Sequence, residues 1–248
     1  MRVWRAIIPA WLGVCIAPGA AGAAEVAGTV YLDANGNGQR DAGERGLPGV
    51  MVSDGHGVAD TGGDGAYRLA SGDDRPLVWV SLPRDHRPSG PWYRWAEAGQ
   101  AADFGLAAAP QEDAFQFVQM TDSHIGRADL LKQFCQRLNE FPIPLAFVVN
   151  TGDLVGGVDV VVPEKAPAQF ASYTGAVAVL KAPLFNLPGN HEHVGFNNKE
   201  ADRNHPDYGK ALYRRLLGPT YYSWDWGPIH FVALDGTRLP YSEALGEE

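Results

Sequence analysis

Cysteine is nearly absent from this 248-residue chain, which holds only Cys15 and Cys135. Cys15 falls in an amino-terminal stretch expected to be removed, so no intramolecular disulfide can staple the rest. Cys135, inside an expected helix, reads as a buried thiol. Positive charge is scarce as well: 20 Lys and Arg stand against 29 Asp and Glu, for a net charge of −9. The basic residues are scattered and form no stripe interleaved with aromatics. Affinity for nucleic acid comes from neutralising phosphates, so no nucleic-acid-binding surface is expected. Long hydrophobic runs are also missing. The longest, Ala6 to Ala17, is shorter than the roughly 20 residues that a membrane-spanning helix needs.

What is present begins with a secretory pattern. Arg2 and Arg5 precede the apolar stretch, and the small-residue run Ala20-Ala-Gly-Ala-Ala24 follows it. Residues 1–24 therefore read as a signal peptide, cleaved after Ala23 or Ala24, and the product is expected to be periplasmic or secreted. Val14 before Cys15 argues against lipid attachment, so a soluble product without a transmembrane segment is expected. Loss of the two arginines takes the net charge from −9 to about −11.

Residues 25–110 carry short β-rich runs separated by Gly and Asp: Val26 to Tyr31, Gly49 to Val52, Ala66 to Leu69 and Leu77 to Leu82. A small all-β sandwich domain is expected. Within it Asp33, Asn35, Asn37, Asp41 and Glu44 fall at positions one, three, five, nine and twelve of a calcium-loop pattern, with Gly38 at six for the tight turn. Flanking strands exclude a paired-helix sensor, so calcium here would be structural. The segment Gly28 to Val50, with Asp60 to Tyr67, resembles calcium-binding B-type repeats of bacterial surface adhesins and the N-terminal domains appended to some calcineurin-like phosphoesterases. Trp79, Trp92, Tyr93 and Trp95 read as core or interdomain packing. Ala101 to Gln111, with Ala107-Ala-Ala-Pro110, reads as a linker.

In residues 111–248, three polar motifs each follow an apolar run. Asp122-Ser123-His124 follows Phe115 to Met120, Gly152-Asp153 follows Leu145 to Val149, and Gly189-Asn190-His191-Glu192 follows Leu184 to Leu187. Helices are expected over Ala128 to Phe141 and Gln169 to Leu180, so each interval fits a βαβ crossover. The motifs would emerge at strand C-terminal ends, where open α/β sheets place ligands. Residues two apart on an extended chain share a face, so Asp122 and His124 can present a carboxylate and an imidazole to one ion. Asp153 can bridge two ions, Asn190 can offer a carbonyl oxygen to the second, and His191 can donate a proton to a leaving group. Gly152 and Gly189 let the backbone approach where a Cβ would clash.

These motifs, in this order, resemble the calcineurin-like metallophosphoesterase family, over about Phe115 to Asp235 and including the hairpin-like Tyr221 to Asp235. The resemblance implies an α/β domain, a β-sandwich flanked by helices, C-terminally incomplete here. It also implies two divalent transition metals (Mn, Fe or Zn) and hydrolysis of a small phosphomonoester or phosphodiester by metal-activated water. No Tyr follows Gly152-Asp153, which argues against the purple acid phosphatase branch. The family's later histidine motifs, ending in Gly-His-x-His, are not found after Asp235. The chain is therefore expected to be either a fragment of a longer enzyme or a degenerate relative. In the second case it would be a calcium-stabilised surface or binding module carrying a catalytically incomplete phosphoesterase domain. His230 reads as structural, and His193 and His205 as residues of solvated loops.

Overall fold

A computed structural model describes residues 24–237, apart from 98 and 125. All but the last residue of the expected signal peptide lies outside the described residues. The amino-terminal half is all β: β1 (Ala24–Leu32), β2 (Met51–Ser53), β3 (Val58–Asp60), β4 (Ala66–Ser71), β5 (Leu77–Val80), β6 (His86–Pro88), β7 (Tyr93–Trp95) and β8 (Phe104–Ala108). They form two four-stranded sheets, ordered β4-β1-β8-β6 and β3-β2-β5-β7. In β4 the buried Tyr67, Leu69 and Ser71 alternate with exposed Ala66, Arg68 and Ala70, the two-residue period of a strand with one face in a core. All four residues of β5 are buried. Val26, Val30, Phe104 and Leu106 of one sheet meet Val52, Val78 and Val80 of the other in a single hydrophobic cluster.

The expected linker over Ala101 to Gln111 is not a linker. Phe104, Leu106 and Ala107 are buried, and β8 pairs parallel with β1 and antiparallel with β6. The small residues that resemble a flexible spacer are small for another reason. Gly105 lies under the Tyr31 ring, where a Cβ would come within 2.8 Å of the hydroxyl oxygen. Three short strands, β3, β6 and β7, also went unread in the sequence. None exceeds three residues, too few for a period to show.

The carboxyl-terminal half opens with β9 (Gln116–Met120), α1 (Ala128–Asn139), β10 (Leu145–Asn150), α2 (Ala166–Val177) and β11 (Leu184–Asn186). β10 lies between β9 and β11, parallel to both. α2 begins three residues before its expected start because Pro167 occupies the first turn, where a missing N–H costs nothing. It buries Phe170, Tyr173 and Ala176, three residues apart on one face. α3 (Ala211–Leu217) adds Leu212 and Tyr213 to the same cluster, beside Leu154 and Val158. The expected hairpin is present as β12 (Tyr222–Trp226) and β13 (Ile229–Ala233), with Trp226 opposite Ile229. Among the described residues no helix is long and apolar enough to cross a membrane.

The two halves share one core. Phe147, Phe185, Tyr222 and Trp224 belong to the same cluster as the sandwich interior. Leu82 forms a parallel bridge with Trp224, the Leu82 carbonyl accepts from the Asp225 N–H at 2.8 Å, and Trp92 packs on Tyr222 with ring centroids 5.0 Å apart. Trp79 is buried in the cluster and Tyr93 packs against it. The aromatics read as packing residues therefore do pack, largely at the junction.

Candidate metal centre

The three motif loops leave the C-terminal ends of three adjacent parallel strands, with the Asp153 loop in the middle. Backbone bonds tie the first loop to the second: Asp122 N–H to Gly152 O (3.0 Å) and His124 N–H to Asp153 O (2.9 Å). The Ser123 hydroxyl adds a bond to Leu154 O at 3.1 Å. Tying the third loop to the second falls to a buried carboxylate. Glu192 accepts the N–H groups of Asp153 (3.0 Å), Val155 (3.0 Å) and Gly189 (2.6 Å). Burial raises its pKa, and the backbone donors only partly offset this.

Glycine is required at both crossing points. Gly152 has φ +118°, and a Cβ on it would lie 2.6 Å from the Gly189 nitrogen. A Cβ on Gly189 would run into the Asp153 carboxylate. Three of the four non-glycine residues with positive φ among the described residues are also here: Asp122 (53°), His124 (36°) and Asp153 (53°). Such backbone costs about 1 kcal/mol or more per residue and persists where the surroundings over-determine it.

The side chains converge. One ligand atom from each of His124, Asp153 and His191 lies within 4.8 Å of the others, the only such group of His, Cys, Asp or Glu among the described residues. His124 Nε2 is 3.6 Å from both Asp122 Oδ1 and Asp153 Oδ2. Asp122 is the more exposed carboxylate, held by the Thr121 hydroxyl at 2.7 Å. Asn190 opens a 3-10 turn (Asn190–Glu192) and is exposed. Its amide makes no hydrogen bond among the described residues. Two carboxylates facing two imidazoles, with buried Glu192 behind and no Lys or Arg among the described residues bonded to them, suit a divalent cation with mixed oxygen and nitrogen ligands.

His191 has a partner that went unread in the sequence. Its Nδ1 lies 2.8 Å from Oδ1 of Asp159, a buried residue in a 3-10 turn (Val158–Val160). Asn197 donates to the other Asp159 oxygen at 2.7 Å. The hydrogen bond to the Asp159 carboxylate raises the His191 pKa, against a smaller opposing effect of burial. Nε2 is left as the nitrogen that can serve the site. No local pattern marks Asp159, because its role depends on which loop it meets.

His193 is not in a solvated loop. It is 5% exposed, with Nε2 2.9 Å from the Thr237 hydroxyl, and burial with nearby Lys210 pushes its pKa down to about 4. His205 is half-buried, 3.8 Å from Glu164. His230 forms an exposed cross-strand pair with Asp225 at 2.6 Å, consistent with a structural role.

The calcium-pattern residues share one loop that closes on itself. Buried Asp33 accepts the N–H groups of Gly36 (2.6 Å), Asn37 (3.2 Å) and Gly38 (2.7 Å). Glu44 accepts those of Ala34 (2.9 Å) and Asp41 (3.0 Å), and Asp41 accepts the side-chain amides of Asn35 (2.7 Å) and Asn37 (2.8 Å). The carboxylates of Asp33, Asp41 and Glu44 do not converge on one point as the His124 group does.

Comparison with known proteins agrees with this geometry. Residues 34–119 match the family model described as the N terminal of calcineurin-like phosphoesterase, and residues 115–241 match that of the calcineurin-like phosphoesterase domain itself. The first match bears out the likeness to N-terminal domains appended to such enzymes; none bears on adhesin repeats. No curated protein matches the chain. With the second match spanning half of its length and all three motif loops, the chain belongs to the calcineurin-like phosphoesterase family.

Proposed function

We propose that this protein is an exported phosphoesterase that hydrolyses a small phosphomonoester or phosphodiester at the His124, Asp153 and His191 centre. The observation that carries the reading is the convergence of these side chains, with Asp122 beside them, at the ends of three neighbouring strands. Asp122 and His124 would hold one divalent ion, Asp153 would be shared with a second, and Asn190 would offer that second ion a carbonyl oxygen. When bound, such ions neutralise phosphoryl oxygens and lower the pKa of water.

The chain's own residues supply the rest. Glu192 fixes the spacing of the second and third loops by holding three backbone N–H groups. Asp159 accepts a hydrogen bond from Nδ1–H of protonated His191 and fixes the ring. The Nε2 proton of cationic His191 is then available to the departing alkoxide oxygen. The family implies a small-molecule substrate, and the acidic surface agrees with that. Export rests on the amino-terminal pattern of two arginines, an apolar stretch and a small-residue run.

The test is manganese-dependent hydrolysis of a bis-aryl phosphate by the purified protein, beside Asp153→Asn. Activity lost in the variant supports the reading. Activity no higher than the variant's would overturn it and favour a binding module.

A further inference from the structure

A cavity of about 720 Å³ lies beside the metal centre, walled by both halves of the chain. Residues 193–197 link the two. On one side this segment is bonded to the turn that carries Asp159, through Gly195 N–H to Val158 O (2.9 Å) and Asn197 N–H to Asp159 O (2.7 Å). On the other, Val194 and Gly209 exchange backbone bonds of 2.9 Å each way, which sets Lys210 and α3 along the cavity. His193 thus lines the cavity two residues from His191.

The wall holds two cations, Lys210 and Arg214, and two carboxylates, Asp73 and Asp235. Lys210 is paired with Asp235 at 2.7 Å, and Asp73 with His56 at 3.7 Å on the rim. Arg214 also lines the cavity and makes no side-chain hydrogen bond or ion pair among the described residues. Three aromatic side chains, Trp95, Tyr208 and Tyr221, also line the wall. Tyr221 is pinned by its hydroxyl to Gly55 O at 2.9 Å and by its ring edge to Trp79, which fixes the β2–β3 turn against the carboxyl-terminal half. A volume of this size holds a small organic ligand, and an unpaired guanidinium beside aromatic faces recognises a planar ring that carries an anion.

We propose that this cavity receives the organic substituent of the phosphoester, an aromatic ring bearing a second anionic group, with the ring against Trp95 and Tyr221 and the anion on Arg214. The amino-terminal half then determines specificity through Trp95. This assignment rests on the phosphoesterase reading for its catalytic consequence, and on the cavity alone for binding.

Two measurements separate these. In EDTA, calorimetric titration with 4-carboxyphenyl phosphate should show saturable binding that weakens about tenfold in Arg214→Gln and in Trp95→Ala. Should Trp95→Ala fail to fold by circular dichroism, Arg214→Gln, a change at an unpaired side chain, still decides. With manganese, the KM for 4-carboxyphenyl phosphate should be about tenfold below that for phenyl phosphate. That difference should vanish in Arg214→Gln. Absent binding, binding indifferent to Arg214, or equal KM values for the two esters would overturn the proposal. Binding as expected without hydrolysis of either ester would overturn the phosphoesterase reading and leave the cavity assignment standing.

Discussion

At the scale of single residues, the centre depends on groups that hold other groups. Asp159 touches no expected substrate position, yet its carboxylate fixes the His191 ring and raises its pKa. Asp159→Asn should lower kcat by about tenfold to a hundredfold, the range expected of a supporting partner in general acid catalysis, and leave KM nearly unchanged. Steady-state kinetics on one ester check this, and a rise in KM matching the fall in kcat/KM would contradict the positioning role. Gly152 is the backbone counterpart. Its φ of +118° and the 2.6 Å approach of Gly189 N to any added Cβ make Gly152→Ala a clash with main chain. The variant should lose about 2 kcal/mol or more of stability, and activity with it. A urea melt superimposable on wild type would refute that expectation. These two residues also mark the limit of what sequence shows. Gly152 was legible because its neighbour in sequence, Asp153, needed room, whereas Asp159 acts on a residue 32 positions away and leaves no trace in local pattern.

At the scale of elements, legibility followed length and period. β9, β10 and β11 were found within a residue or two of their places because each apolar run ends in a polar motif. β8 was missed because Ala107, Ala108 and Ala109 look like spacer residues, while what makes it a strand is pairing with β1. His193 was misread for a related reason: a histidine among polar loop residues is buried here, against Phe196 of its own loop and beside Thr237 and Lys210 from further along the chain. The Asp33 loop shows an element whose residues were legible and whose present bonding was not. Asp33 caps three backbone N–H groups, so Asp33→Ala should cost about 1–3 kcal/mol whether or not calcium binds. Thermal melts with and without calcium check both halves of this. An unshifted melting temperature for the variant would contradict the capping role, and a calcium-dependent rise confined to wild type would identify the loop as a cation site.

At the scale of the whole molecule, the aromatic junction makes the two halves one folding unit. Trp224 stacks on Phe185 at 4.1 Å and on Phe231 at 5.1 Å, meets Phe147 edge-on at 5.6 Å, and bridges to Leu82 of the amino-terminal half. Deleting such a side chain removes contacts from both halves at once. Trp224→Ala should cost about 3–5 kcal/mol, and unfolding followed by fluorescence and by far-ultraviolet circular dichroism should coincide in a single transition. Two separated transitions would show that the halves unfold independently. The Lys210 and Asp235 pair adds a pH term to the same unit. Burial of Asp235 pushes its carboxyl up, but the hydrogen bonds from Lys210 and Thr237 outweigh it, and the net shift is downward. A carboxyl lowered in the folded state stabilises it above the unfolded pKa of about 3.9, and that contribution is lost as pH falls through the lower folded value. Lys210→Met leaves Asp235 buried without its cation, so the variant should be destabilised by about 3 kcal/mol at pH 7 and by less as pH drops through the carboxylate range. Urea melts of both proteins from pH 7 to pH 3 measure that difference. A gap between variant and wild type that does not narrow toward acid would mean that the lysine stabilises the fold by packing alone.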